Sequence, residues 1–160
     1  MYYSLITEGI RRDGYVRIED KNLRVRREFF NRFGAPVGLE SIKQNSLVVV
    51  KITAITDVDR LDNIAITDLL PAGFEIENPR LVESSQYDFI KDASTPDYVD
   101  IRDDRINFYT NFKDTRERKF FYLVRAVSKG DFQYAPIAAE AMYDANYYSA
   151  SGRGVLKVVE

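Results

Sequence analysis

The stretch SLVVVKITAI, Ser46–Ile55, decides the fold. In an extended chain Val48, Val50, Ile52 and Ala54 face one way, and Leu47, Val49, Lys51 and Thr53 face the other. Alternation of period two, in residues that favour a pleated backbone, reads as a strand with one side on a core. Working outward, NIAIT (Asn63–Thr67) is a second strand, stopped at DLLPAG, where Pro71 and Gly73 break any ladder. YVDIRDDRINFYT (Tyr98–Thr110) reads as a hairpin: Val99 and Ile101 alternate on one arm, Ile106 and Phe108 on the other, around a turn at Asp103–Asp104. KFFYLVRAV (Lys119–Val127) is a further strand, ended by SKGD, and YYSLIT, LRVRREFF, FQYAPIAAEAMY and GVLKVV complete the set. Helical spacing is confined to one short turn near Gly38–Gln44.

About seven to nine short strands, punctuated by turn residues roughly every ten positions, predict an all-β fold. The expected form is an antiparallel two-layer β-sandwich of fibronectin or immunoglobulin type. Its core should include Val48, Val50, Ile52, Ile64, Ile66, Phe108, Tyr122, Val124 and Val158. Asn78–Asp97 alternates poorly and reads as a long connection between the sheets, with LVES as a short edge strand. At the DLLPAG corner, Leu69 or Leu70 should plug the end of the sandwich, with Phe74 and Ile76 resuming alternation. Gly73 there should need either a positive φ or a close approach.

The chain has 160 residues, with no internal repeat and no linker-like tract, and reads as one domain over 1–160. Its formal net charge of -2 is interspersed, so nucleic acid is not an expected partner. The densest basic patch, Arg24, Arg26 and Arg27, is expected to be a solvated strand edge. Cysteine and histidine are both absent, which removes disulfides, thiolate nucleophiles, imidazole relays and the usual zinc ligands. No metal or cofactor is expected. No apolar run approaches the ~20 residues of a membrane helix, so no direct membrane insertion is expected either. Met1 is followed at once by strand-like sequence rather than a signal peptide, a start that suits a piece of a longer protein.

Carboxylates are the remaining raw material for chemistry. Asp57, Asp59 and Asp62 cluster in DVDRLDN, and Asp103 and Asp104 sit together, but both groups lie at strand ends, where Asp commonly caps turns. DVDRLDN lacks the glycine and distal glutamate of a calcium loop. Ser84–Ser85 has no recognisable base. The chain is read as having no catalytic residues.

Two motifs go beyond composition. AAEAMYDANYYSASGRG, Ala138–Gly154, places three tyrosines, a methionine and two glycines in one connection, where Gly, Asn, Asp and Ser alone would serve a plain loop. ITDLLPAGFEIENPRL, Ile66–Leu81, is the other. In this order they resemble the C-terminal (last) macroglobulin-like domain of bacterial alpha-2-macroglobulins, and YYSLITEGI and NSLVVVKITA look similar to its first segment and central strand. The family's second motif falls here on Tyr143, Asp144, Tyr147, Ser149, Gly152 and Gly154.

The resemblance implies a fibronectin-like sandwich within a protease-trapping inhibitor of the cell envelope, periplasmic or membrane-anchored. Its partners would be other domains of the same polypeptide, above all a helical domain that carries a thioester, and target proteases through the whole molecule. In thioester-bearing members a Met–Tyr loop of this domain shields that bond, which implies Met142 and Tyr143 as the cover. They should then sit exposed at one end of the isolated sandwich. Asp144, Tyr147, Ser149, Gly152 and Gly154 would shape the loop. The competing reading is an adhesive or carbohydrate-binding sandwich of a cell-surface protein, with tyrosines as a stacking platform.

Overall fold

The computed structural model describes residue 4, residues 18–77, residue 87 and residues 89–160. Six strands form one sheet in the order β1 (Glu19–Lys21), β12 (Asp144–Ser151), β11 (Ile137–Ala141), β5 (Leu61–Leu69), β8 (Arg105–Phe112) and β7 (Tyr98–Ile101). Four form the facing sheet: β2 (Leu23–Phe30), β4 (Leu47–Thr56), β9 (Glu117–Ala126) and β6 (Phe74–Ile76). All pairings in these two sheets are antiparallel. A small third sheet adds β10 (Gly130–Tyr134), β13 (Gly154–Val159) and β3 (Ile42–Lys43), and its β13–β3 pair is parallel. The architecture is the β-sandwich that the alternation predicts.

Every expected core residue is buried: Val48, Val50, Ile52, Ile64, Ile66, Phe108, Tyr122, Val124 and Val158. Phe108 stacks on Phe120 across the sheets, with ring centroids 4.9 Å apart. The hairpin at Tyr98–Thr110 forms as expected, with Ile101 paired to Ile106. At the DLLPAG corner Leu70 packs against the core and Phe74 is buried in it. Gly73 is required by close approach: a Cβ there would stand 2.5 Å from the Phe132 ring.

Three expectations need correction or completion. Gly38–Gln44 is not helical: Leu39 and Ile42 are both buried, and Ile42–Lys43 is β3, paired with Val158–Val159. Their i, i+3 spacing mimics a helix turn while serving a bent chain over the sandwich end. Val49 lies on the outer face of β4, opposite Leu123, yet both are fully buried and stand apart from the main core. The connection ahead of β7 accounts for this. Phe89 packs against Phe30 on β2, and Ser94 exchanges hydrogen bonds with Lys119 on β9, so the chain between them crosses that outer face. The expected LVES strand, and Ser84–Ser85, lie outside the described residues.

The third correction concerns the basic patch. Arg24 is exposed and Arg26 pairs with Asp20, but Arg27 turns inward, and its side chain is only 4% exposed. It forms an ion pair with fully buried Asp68, and its other nitrogen donates to the carbonyls of Ala135 (2.8 Å) and Gly152 (3.0 Å). The Tyr122 hydroxyl donates to the other Asp68 oxygen at 2.7 Å. Arg27 also lies over the Tyr134 ring, 4.8 Å from its centroid. Burial pushes the Asp68 carboxyl up from the usual carboxylate range, against the opposing pull of Arg27 and Tyr122. Burial and the Asp68 charge push the Tyr122 phenol well above its ordinary value. This cluster ties β2, β5 and β9 together with two chain reversals.

Candidate functional site

Most of the Ala138–Gly154 motif is strand rather than loop. β11 and β12 form an antiparallel hairpin closed by a two-residue turn, Met142–Tyr143, between paired Ala141 and Asp144. Neither turn residue has a positive φ, so this is not the primed turn that matches strand twist. The ladder then slips: Glu140 pairs with Tyr148 but Ala141 with Asp144, leaving Ala145, Asn146 and Tyr147 as a bulge on β12.

The turn is the most exposed apolar surface of this end, with Met142 at 50% and Tyr143 at 82%. Behind it, Tyr147 packs against the core and Tyr148 is half-buried. Asp144 accepts both the backbone and the side-chain N–H of Asn146, at 3.0 and 2.9 Å, and so shapes the bulge. Gly152 has φ 70, the left-handed conformation that lets β12 reverse into β13. Gly154 faces the Tyr134 ring, where a Cβ would meet the hydroxyl at 2.3 Å.

Ser149 is not a loop residue but a fully buried joint between the sheets. Its hydroxyl accepts the Val25 N–H at 2.9 Å and donates to Asp20 at 2.7 Å. Ser151 donates to the Val25 carbonyl at 2.6 Å. Two hydroxyls thus satisfy both backbone groups of Val25 on the outer edge of β2, where a further strand would otherwise have to pair. Arg26 and Ser149 together hold the Asp20 carboxyl below the usual range.

Residues that the sequence did not single out prop the turn. Asn63, at φ 58, accepts the Met142 N–H on its carbonyl at 2.9 Å. The Asn63 N–H donates to Asn111 Oδ1 at 2.7 Å, and Asn111 donates on to Asp97 at 2.9 Å. On the other flank Lys21 Nζ donates to the Ala145 carbonyl at 3.0 Å, and Asn22 Nδ2 to that of Asn146 at 3.1 Å. The available signal was asparagine at strand interruptions, since asparagine tolerates left-handed backbone.

Within the acidic clusters Asp59 pairs with Arg116, Asp62 with Arg60 and Asp104 with Arg105 at the surface, and nearby Asp100 pairs with Arg102. Among the described residues no group of three or more carboxylates converges to hold a metal ion.

Residues 23–146, which include the Met142–Tyr143 turn, match the family described as Bacterial Alpha-2-macroglobulin MG10 domain. The chain belongs to this family. The alpha-2-macroglobulin of Pasteurella multocida (strain Pm70) is 33% identical over 160 residues, covering 98% of this chain and 8% of that protein. That of Xylella fastidiosa (strain Temecula1 / ATCC 700964) is 31% identical over 153 residues, covering 89% of this chain and 9% of that protein. A crystal structure of Salmonella alpha-2-macroglobulin reacted with methylamine superposes with a TM-score of 0.80 at 27% identity, over 91% of this chain and 10% of that one. The bacterial MG10 domain described here therefore spans about a tenth of the length of its relatives. It is one module of an alpha-2-macroglobulin-like architecture.

Proposed function

We propose that this MG10 domain is a non-catalytic interaction module lying last in a bacterial protease-trapping inhibitor of the cell envelope. Its Met142–Tyr143 turn is the contact surface and covers a thioester in a helical domain of the same polypeptide. The observation that carries this reading is the pairing of exposure with order. Met142 and Tyr143 are 50% and 82% exposed, yet the Met142 amide is anchored on Asn63 and the following bulge is tied down. A plain turn has no need of a large apolar pair held out in solvent. Such a pair suits a thioester, which survives only while water is kept from its carbonyl. Met142 can mould over an irregular site, and Tyr143 brings a broad ring whose hydroxyl can stay hydrogen-bonded.

The test is thiol release from the full-length protein with no protease added, comparing wild type with Met142→Ala/Tyr143→Ala. The double variant should fold normally and release thiol sooner, to water or to a small amine. Identical rates would show that the turn guards nothing.

A further inference from the structure

Met142 and Tyr143 stand on a hairpin end that is held unequally on its two sides. On one side the Met142 N–H is bonded to Asn63 of β5, a strand paired on both edges, by β11 and β8. Asn63 is itself fixed by the relay from Asn111 on β8 to Asp97, the residue just ahead of β7. That side is anchored in the body of the sheet.

The other side rests on β1. This strand has three residues, all exposed, and among the described residues it pairs with β12 alone. The bulge residues Ala145 and Asn146 have lost their ladder partners on β11 through the slip in register. Their carbonyls are taken up by Lys21 at 3.0 Å and Asn22 at 3.1 Å. Asn22 holds φ 51, the left-handed corner at which the chain leaves the six-stranded sheet and enters β2. A three-residue exposed edge strand belongs to the low-stability part of a structure and opens more readily than central strands.

We infer that β1 is a latch on the Met142–Tyr143 turn. While β1 is docked, Lys21 and Asn22 hold the bulge and the turn keeps one attitude. When β1 is drawn off β12, both carbonyls lose their partners, and the turn is free to swing on the Asn63 anchor. Ile18, exposed, leads directly into β1, so a pull on the chain at that point reaches the latch before it reaches β2. The inference rests on the reading of this turn as the domain's contact surface, and it supplies that contact with a means of control.

The experiment uses the full-length protein carrying Lys21→Ala/Asn22→Gly. Glycine keeps the left-handed corner while removing the amide that grips Asn146. Hydrogen exchange read by mass spectrometry compares peptides spanning 142–148 with peptides from β4 and β9. The expected result is exchange about 3- to 10-fold faster in 142–148, with β4 and β9 unchanged. Thiol release should be faster than in wild type but slower than in Met142→Ala/Tyr143→Ala.

Unchanged exchange in 142–148 would overturn the latch, as would equal acceleration in β4 and β9, which marks a general brace. Selective loosening with wild-type thiol release also overturns it, provided the Met142/Tyr143 variant is fast in the same assay. If both variants release thiol at the wild-type rate, the shielding reading has failed, and control of it by β1 falls with it.

Discussion

Replacing Arg27 by methionine tests the buried cluster most directly. The guanidinium is paired to Asp68 and bonded to the carbonyls of Ala135 and Gly152, and its side chain is 4% exposed. Methionine fills much of the space but leaves fully buried Asp68 with Tyr122 as its remaining side-chain partner. Breaking a buried pair from one side typically costs about 3–5 kcal/mol, a large share of the roughly 5–15 kcal/mol that holds a domain together. Asp68 then escapes part of the cost by binding a proton. Its folded pKa, already raised by burial, rises further without Arg27, while the unfolded value stays near 3.8. The folded state therefore holds the extra proton, and stability falls as pH rises between those two values. The limiting slope is about 1.4 kcal/mol per pH unit. Urea unfolding followed by far-ultraviolet circular dichroism at pH 5.0 and 7.5 reads both effects. A loss below about 1 kcal/mol, or an equal loss at the two pH values, would refute the reasoning. The triple change Arg27→Met/Asp68→Leu/Tyr122→Phe removes every member of the network together, and it should recover most of the loss.

Three further outcomes are expected. Gly73→Val drives a side chain into the Phe132 ring and should cost about 1–3 kcal/mol by urea unfolding; a neutral result would mean that the corner has slack. Ser149→Ala strands the buried Val25 N–H and should cost about 1–3 kcal/mol, with selectively faster exchange at that amide. Asp20 has its folded pKa depressed, first by Arg26 and also by Ser149, so its contribution is present above about pH 3.8 and is lost as pH falls through the lower folded value. Asp20→Asn should consequently flatten the acid limb of the stability profile, and an unaltered limb would show that the Asp20 contacts contribute nothing.

The sandwich and its core were legible because one-sided burial imposes a period of two. Val48, Val50 and Ile52 had to share a face whatever the partner strands were, and they are buried at 2, 0 and 0%. Pro71 ends a ladder by local geometry, so that corner was equally plain, although the need for glycine at 73 came from the remote Phe132 ring. The exposure of the Met142–Tyr143 pair followed from the family resemblance, whereas alternation alone carried FQYAPIAAEAMY through it as strand; the strand in fact ends at Ala141.

Contacts between residues remote in sequence were decided only by the tertiary structure. Arg27 belongs to a basic run that reads as solvated, and it becomes buried because Asp68, 41 positions away, is brought opposite when the sheet of β2 packs on the six-stranded sheet that holds β5. The role of Ser149 depends on β12 passing the edge of β2, 124 positions distant. Val49 and Leu123 point away from the sandwich core and are dry because a connecting segment crosses that face. Lys21, Asn22 and Asn63 meet the hairpin end through sheet order, which no local pattern encodes. Alternation and turn chemistry act within a few residues, and the sequence by itself therefore determined which side of each strand is apolar and where strands stop. The partners of a buried charge, a joining hydroxyl or an exposed turn depend on which strands lie side by side, and that was settled by the packing of the whole chain.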